Sequence, residues 1–457
     1  MNRTFILLFV VYGVLLITGC SKKDVSSVTS IVSSVAATAE DVSLLSTAEV
    51  QTPTHITPTV SETIATEDKT PVSNIEILPE TSVEQSQKLP FEGKIAIICN
   101  DLTSNMQEYF SAQKIVPKYG EDKVIQFFYP TPVYADEDRA ELAKLILELG
   151  NDPEVKTIII NQTRPGVAEA LHKLLEMRKD IFTICIDPIV SEGVNIEDLC
   201  SYADLVLKVD KLGMGTAMVL QAKELGANTF VHYSAYGHLS FDTIAPRLEM
   251  IRKTCEQNGV TFLEKIIPVP PEIGYRQRYD WYIEDMEKVI SRYGKDTAFF
   301  KAYIVDSDYF MKAVIDAGAI CPQTDHPSPY GGLYAALLDP NDLYYKETLV
   351  DEETIAKERA ALAEKNMSGR ISIWPREPSD LLTDASVEYA IKWMNGEVSR
   401  EDINVDVLKQ LMEDYAGVEC FLTPYVDDDL YYINREKEGT GETYDNFLLM
   451  LMDYITL

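Results

Sequence analysis

The sequence predicts an α/β protein made of two doubly wound parallel-sheet lobes followed by an irregular C-terminal extension. Three observations carry this. Short, continuously apolar runs alternate with amphipathic helical segments, the pattern of a parallel sheet covered on both faces. Each apolar run ends abruptly in polar or turn residues. The alternation runs through five strands, then restarts near Thr229, giving two units of about 110–120 residues.

In chain order, Lys94-Ile-Ala-Ile-Ile-Cys99 reads as the first strand, ending at Asn100-Asp101. A helix follows from Ser104 to Tyr119, with Thr103 or Ser104 as N-cap. Lys123 to Phe128 is the second strand, ending at Tyr129-Pro130. The helix Glu137 to Leu149 places Leu142, Leu145, Ile146 and Leu149 at helical spacing. Strand Val155 to Ile160, loop Asn161-Gln162-Thr163-Arg164 and helix Gly166 to Met177 come next. Strand Ile181 to Ile186 ends at Asp187-Pro188. Strand Leu205 to Val209 leads through Gly213 and Gly215 into a helix ending at Leu225. In the second unit the expected strands are Thr229 to His232, Thr261 to Ile267, Ala298 to Val305 and the short Ala319 to Cys321. Its helices are 244–258, 281–293 and 308–317. Beyond Gly331 the pattern loosens: helices at 353–365, 387–394 and 405–415, a strand at Arg370 to Trp374, and a mixed tail over 418–457.

The first ninety residues are set apart from the fold. Phe5 to Ile17 is apolar but too short to span a bilayer, and it fits an export signal. It ends in Ile17-Thr18-Gly19-Cys20-Ser21, which resembles the bacterial lipobox, whose cysteine is acylated. Residues 21–90 are rich in Ser and Thr and contain no Phe, Tyr or Trp, so they read as a disordered tether. The expected organisation is therefore signal (1–20), tether (21–90), first lobe (91–210), second lobe (211–330) and a segment returning across and bracing the lobes (331–457). The expected location is the extracytoplasmic face of the cell membrane, held by lipid at Cys20.

Charge narrows the function. With 41 Lys+Arg against 73 Asp+Glu, the net charge is −32, which argues against nucleic acid or anionic lipid headgroups as partners and leaves room only for a local basic site. Catalytic signatures are sparse. Met218 stands where the third glycine of a dinucleotide fingerprint belongs, and no phosphate loop, HExxH or GxSxG occurs. Five scattered histidines and a cysteine spacing without CxxC predict no metal or other cofactor. Asp427-Asp428-Asp429 lacks the glycine and glutamate of a calcium loop.

Ligands of open parallel sheets sit beyond the carboxyl ends of the strands. That rule selects Asn100, Asp101, Tyr129, Asn161, Gln162, Thr163, Arg164 and Asp187 from the first lobe. From the second it selects Tyr233, Ser234, Tyr236, His238 and Asp306 and, more loosely, Gln323, His326 and Tyr330. Amides, hydroxyls, single charges and phenols suit a small polar ligand.

The acylated signal, the tether, the opening Lys94-Ile-Ala-Ile-Ile-Cys-Asn100 and the run Ala298-Phe-Phe-Lys-Ala-Tyr-Ile-Val-Asp306, continuing to Gly318, together resemble the type I periplasmic-binding-protein superfamily. More closely, the chain resembles an uncharacterised group of bacterial lipoproteins of that fold. The resemblance covers about 91–339. It implies a receptor whose lobes close by hinge motion on a sugar, nucleoside or similar solute, with Asp306 facing the ligand. The partner it implies is an ABC-type permease or membrane sensor. The long segment after Asp339 and the loop Pro268 to Arg278 depart from the pattern. An exported hydrolase using cleft carboxylates and a ligand-free sensor or scaffold are the alternatives.

Overall fold

The structure, a computed structural model, describes residues 90–457 except 130–135, 191–192, 236, 238, 240–242, 269–271, 303–304, 339–350 and 429–438. The expected signal, Cys20 and the tether therefore lie outside the described residues, as do Tyr236 and His238.

The first unit runs β1 (Lys94–Cys99), α1 (Met106–Tyr119), β2 (Val124–Phe128), α2 (Asp136–Asn151), β3 (Val155–Ile160), α3 (Val167–Met177), β4 (Phe182–Ile186), α4 (Ile196–Tyr202) and β5 (Leu205–Val209). Its parallel strands lie in the order β2-β1-β3-β4-β5. The order reverses between β1 and β3, so a crevice opens past their carboxyl ends. The second unit runs α5 (Gly213–Glu224), β6 (Thr229–Ser234), α6 (Ile244–Asn258), β7 (Thr261–Ile266), α7 (Tyr275–Tyr293), β8 (Thr297–Lys301) and α8 (Ser307–Ala317). Its sheet is parallel, in the order β7-β6-β8.

The chain then continues as α9 (Gly332–Leu337), α10 (Asp351–Glu364), β9 (Ser372–Ile373), α11 (Pro378–Met394), α12 (Val405–Ala416), β10 (Cys420–Val426), β11 (Thr443–Met452) and β12 (Ile455–Thr456). These late elements complete the first sheet and form a two-stranded ribbon beside the second. β11 pairs parallel to β5, with Leu448 opposite Leu207, and β10 closes that edge antiparallel, giving seven strands. β9 pairs with β12, and bridges from Ala298 to Ile320 and from Cys321 to Ile371 join that ribbon to β8.

The period of two along each strand sends alternate residues to opposite faces. Ile95, Ile97 and Cys99 pack in one cluster with Ala112 and Ile115 of α1, Leu381 and Leu382 of α11 and Leu408 and Met412 of α12. Ala96 and Ile98 pack on the other face with Leu142 and Ile146 of α2, Leu171 and Leu174 of α3 and Leu199 of α4. Two of the three helices covering the first of these faces thus come from residues after 377.

Several boundaries differ from the sequence expectation. α11 starts at Pro378, not near residue 387, because proline suits the first helical position. Its residues are buried almost all round, including Asp380 and Asp384, so no one-sided apolar stripe announces it. The two acids meet Lys114 and Lys118 of α1. β8 stops at Lys301, short of Val305, and α7 begins at Tyr275 rather than 281.

The lobes are joined three times: at residues 210–212 between β5 and α5, at 374–377 between β9 and α11, and at 453–454 between β11 and β12. The crossings are tied to one another. Asp210 N donates to Met450 O at 2.9 Å, and Trp374 and Tyr454 lie ring to ring at 6.4 Å. Among the described residues no helix is long and apolar enough to cross a membrane.

Candidate functional site

A cavity of about 560 Å³ lies where the carboxyl ends of β3, β4 and β5 face the second lobe. The first lobe contributes the start of α1 (Ser104 to Glu108), Asn161, Gln162, Ile186, Asp187 and Val209. The second contributes Met214, Thr243, Ile244, Arg247, Asp325 and His326. The crossings supply Lys211, Trp374 and Glu377, and α11 adds Pro378, Ser379 and Leu382.

Two lining residues hold a left-handed backbone that non-glycine residues seldom adopt: Gln162 at φ 51° and Asp187 at φ 45°. Neighbouring strands enforce it. Asn161 N donates to Ile98 O, Thr163 N to Ile186 O and Asp187 N to Leu207 O, all within 3.0 Å. Such strain persists only where the surroundings over-determine it, and it concentrates at binding sites.

A polar network stands behind the first-lobe wall. Asn100 Nδ2 donates to Glu108 Oε2 at 2.8 Å and to Gln162 Oε1 at 2.9 Å. Arg164 donates to the same Gln162 oxygen. Asn105 caps α1 by accepting from Glu108 N and donates to Glu108 Oε1. Burial raises the Glu108 carboxyl against the pull of the Asn100 donors. Asp187 accepts from Lys208 Nζ at 2.9 Å; burial works against its charge, but Lys208 and Lys211 outweigh it and hold the carboxyl at about 2.

In the second-lobe wall, Arg247 is buried, pairs with Asp325 at 2.8 Å and lies over the Phe300 ring. His326 Nε2 sits 2.9 and 3.0 Å from the two oxygens of Glu377, which is buried at the head of α11. Burial opposes the imidazolium, but the facing carboxylate outweighs it and raises the His326 pKa, while His326 in turn lowers that of Glu377.

Of the residues selected from sequence, the structure brings Asn161, Gln162, Asp187 and the loosely chosen His326 to the cavity wall. Asn100 and Arg164 stand one layer behind it, through Gln162. The others have different duties. Asp101 turns the chain into α1 by accepting from Thr103 and Ser104. Tyr129 is buried and donates to Asn161 O. Thr163 Oγ1 donates to Ile160 O and Ile186 O, pinning β3 to β4. Tyr233 lies in an aromatic cluster with Tyr282, Phe299 and Phe310 and donates to Asp285 at 2.7 Å, and Ser234 is fully buried beside it in β6. Gln323 is buried and accepts from Tyr454, and Tyr330 is not among the lining residues.

Asp306 is the clearest departure. Its side chain is 1% exposed and accepts from Arg278 and Lys301, each at 2.7 Å, so its charge is spent inside the lobe. The end of the Pro268 to Arg278 segment belongs to α7, which carries Arg278 into that core.

Sequence reasoning missed Glu108, Lys211, Arg247, Asp325 and Glu377. Two of these left a legible signal. Arg247 interrupts the apolar stripe Ile244, Leu248, Ile251 of α6, and Glu108 opens the buried face Ser111, Ala112, Ile115 of α1. A charge at a core position of an amphipathic helix calls for a partner.

Two lobes of parallel sheet, three crossings and a cavity at the strand ends give the two-lobed α/β fold that the sequence resemblance to the type I periplasmic-binding proteins implies. The chain belongs to the family described as "Protein of unknown function (DUF3798)", whose model matches residues 93–372. An "Uncharacterized protein" of Treponema pallidum (strain Nichols) is 27% identical over 222 residues, 48% of this chain and all of that one. A second from the same organism is 29% identical over 147 residues, 32% of this chain and 64% of that one. The crystal structure of "a Putative transcriptional regulator" from Clostridium difficile 630 superposes with a TM-score of 0.69 at 21% identity, covering 80% of this chain and 99% of the other, which establishes a shared fold. A sugar ABC transporter structure from Actinomyces odontolyticus reaches a TM-score of only 0.42 at 9% identity, over 67% of this chain and 84% of that one.

Proposed function

We propose that this chain is an extracytoplasmic solute receptor, lipid-anchored at Cys20, that closes its lobes on a small polar solute and presents it to an ABC-type importer or membrane sensor. The observation that carries the reading is the cavity of about 560 Å³ walled by both lobes and by two of the three crossings. A site so placed is remade by any hinge motion, so a ligand touching both walls favours closure. Its volume falls in the range of small-molecule sites. The strained Gln162 and Asp187 at its floor add support. The anchor rests on the Gly19-Cys20-Ser21 signal alone, and an anchored receptor meets its membrane partner at raised effective concentration.

The test is a thermal-shift screen of the full chain in detergent over sugars, nucleosides, amino acids and organic acids, with mass spectrometry of any solute that co-purifies. Stabilisation by one class without turnover supports the receptor, since binding only to the folded state raises apparent stability. Product formation would replace this reading with the exported hydrolase. Labelling with a fatty-acid analogue, lost in Cys20→Ser, checks the anchor.

A further inference from the structure

The receptor reading leaves the solute's chemistry open, and the bonding state of the cavity wall narrows it. Among the described residues four carboxylates line the wall, and three are already matched by a cation: Asp187 by Lys208, Asp325 by Arg247 and Glu377 by His326. The fourth, Glu108, takes three N–H donors from Asn100 and Asn105. Lys211 is different. It lines the cavity on the crossing between β5 and α5, and its ammonium has no carboxylate within ion-pair distance and no hydrogen bond among the described residues, although acids outnumber bases 73 to 41 in the chain. Gln162 points the same way: its amide oxygen is consumed by Asn100 and Arg164, which leaves its NH₂ as the available end. The first turn of α6, at Thr243 and Ile244 of the same wall, carries no acidic residue to offset its amides. The acceptors of the wall are thus largely spent and its donors are left over. The exception is Asp187, whose second oxygen carries no hydrogen bond among the described residues and is suited to accept one from a ligand hydroxyl. No exposed ring offers a stacking face among the described lining residues apart from the His326 imidazole, since Trp374 is 0% exposed.

We infer that the cavity takes a small hydroxylated anion, a carboxylate- or phosphate-bearing polyol or hydroxy acid, with Lys211 as its charge partner and Asp187 as acceptor for a hydroxyl. The inference rests on the receptor reading and names the class of solute for that same cavity. It also fits the strongly negative chain: the anion is recognised by a local surplus of donors, with net charge acting only as a long-range, salt-screened barrier.

The test compares three matched probes on the full chain in detergent: D-glucose, D-gluconate and D-glucose 6-phosphate, by thermal shift and titration calorimetry. Gluconate or glucose 6-phosphate is expected to raise the melting temperature while glucose does not, and which of the two acts separates carboxylate from phosphate. Lys211→Met should weaken the active anion by about 10- to 100-fold, the scale of one charge-assisted hydrogen bond, and Lys211→Arg should restore part of it. Lys211 is exposed, so the variant folds, which circular dichroism verifies; Lys144→Met, an exposed lysine of α2, controls for nonspecific charge. Equal response to glucose, or full binding by Lys211→Met, overturns the inference and leaves the receptor standing. Silence from all three probes alongside a neutral hit in the broader screen does the same, whereas silence across the whole screen removes the receptor reading and this inference with it.

Discussion

At the scale of single residues, the molecule holds several charges where water does not reach, and each makes its own prediction. Asp306 neutralises Arg278 and Lys301 inside the second lobe. Removing one partner of a buried pair strands the other charges, which typically costs about 3–5 kcal/mol. Asp306→Ala is therefore expected to lower stability by that order in urea unfolding, and not to act as a ligand-contact variant. Glu358 of α10 is buried, neither carboxyl oxygen has a hydrogen bond among the described residues, and burial pushes its pKa up to about 9. The unfolded chain releases that proton near the ordinary 4.5 while the folded chain keeps it, so between those values folding takes up a proton and stability falls as pH rises. Glu358→Gln should cancel this slope. Melting temperatures of the two proteins should be close at pH 5 and diverge in favour of the variant up to pH 9, and parallel curves would mean that the carboxyl is solvated.

Secondary-structure elements meet closely where α5 crosses α6. A Cβ on Gly215 would lie 2.9 Å from Arg247 O and 3.1 Å from Met250 Cβ. The Gly213-Met214-Gly215 run, which in sequence resembles part of a nucleotide loop, thus has a packing reason. Gly215 lets the two helices touch, and Gly213 N donates to Asp210 at 2.7 Å in the turn that opens α5. Gly215→Ala is expected to cost about 1–3 kcal/mol through overpacking. It also moves Arg247 at the cavity wall, so solute affinity should fall together with stability. A variant that loses stability but binds normally would separate the helix contact from the site.

For the molecule as a whole, the issue is how two lobes behave as one body. The apolar cluster that holds Ile95 and Leu207 of the first lobe continues through Met214 and Met218 to Phe230, Ile251 and Phe300 of the second. Shared core of this kind couples the lobes energetically. Calorimetry should therefore show one cooperative unfolding transition for residues 90–457 in place of two, and a bound solute at about 100 times its Kd should raise its stability by about 2.7 kcal/mol. Two resolved transitions, with only one shifted by solute, would show that the crossings act as loose linkers.

Local chemistry and pattern determined the strands, most helices, the parallel sheets and the rule that the site lies past the strand ends. These follow from period, capping and turn residues, which act over a few positions and can be read in order. Of the residues that rule selected, the structure places Asn161, Gln162 and Asp187 at the cavity wall. Only the tertiary structure decided which polar strand-end residues face the cavity and which, like Asp306 and Tyr233, are consumed by partners far along the chain. It alone showed that α11, α12 and β11 complete the first lobe, and that Lys211, Asp325 and Glu377 line one cavity. The physical reason is that a charge or hydroxyl takes its role from whatever stands within about 3 Å of it. For these residues that neighbour is set by long-range packing, on which spacing in the sequence carries no information.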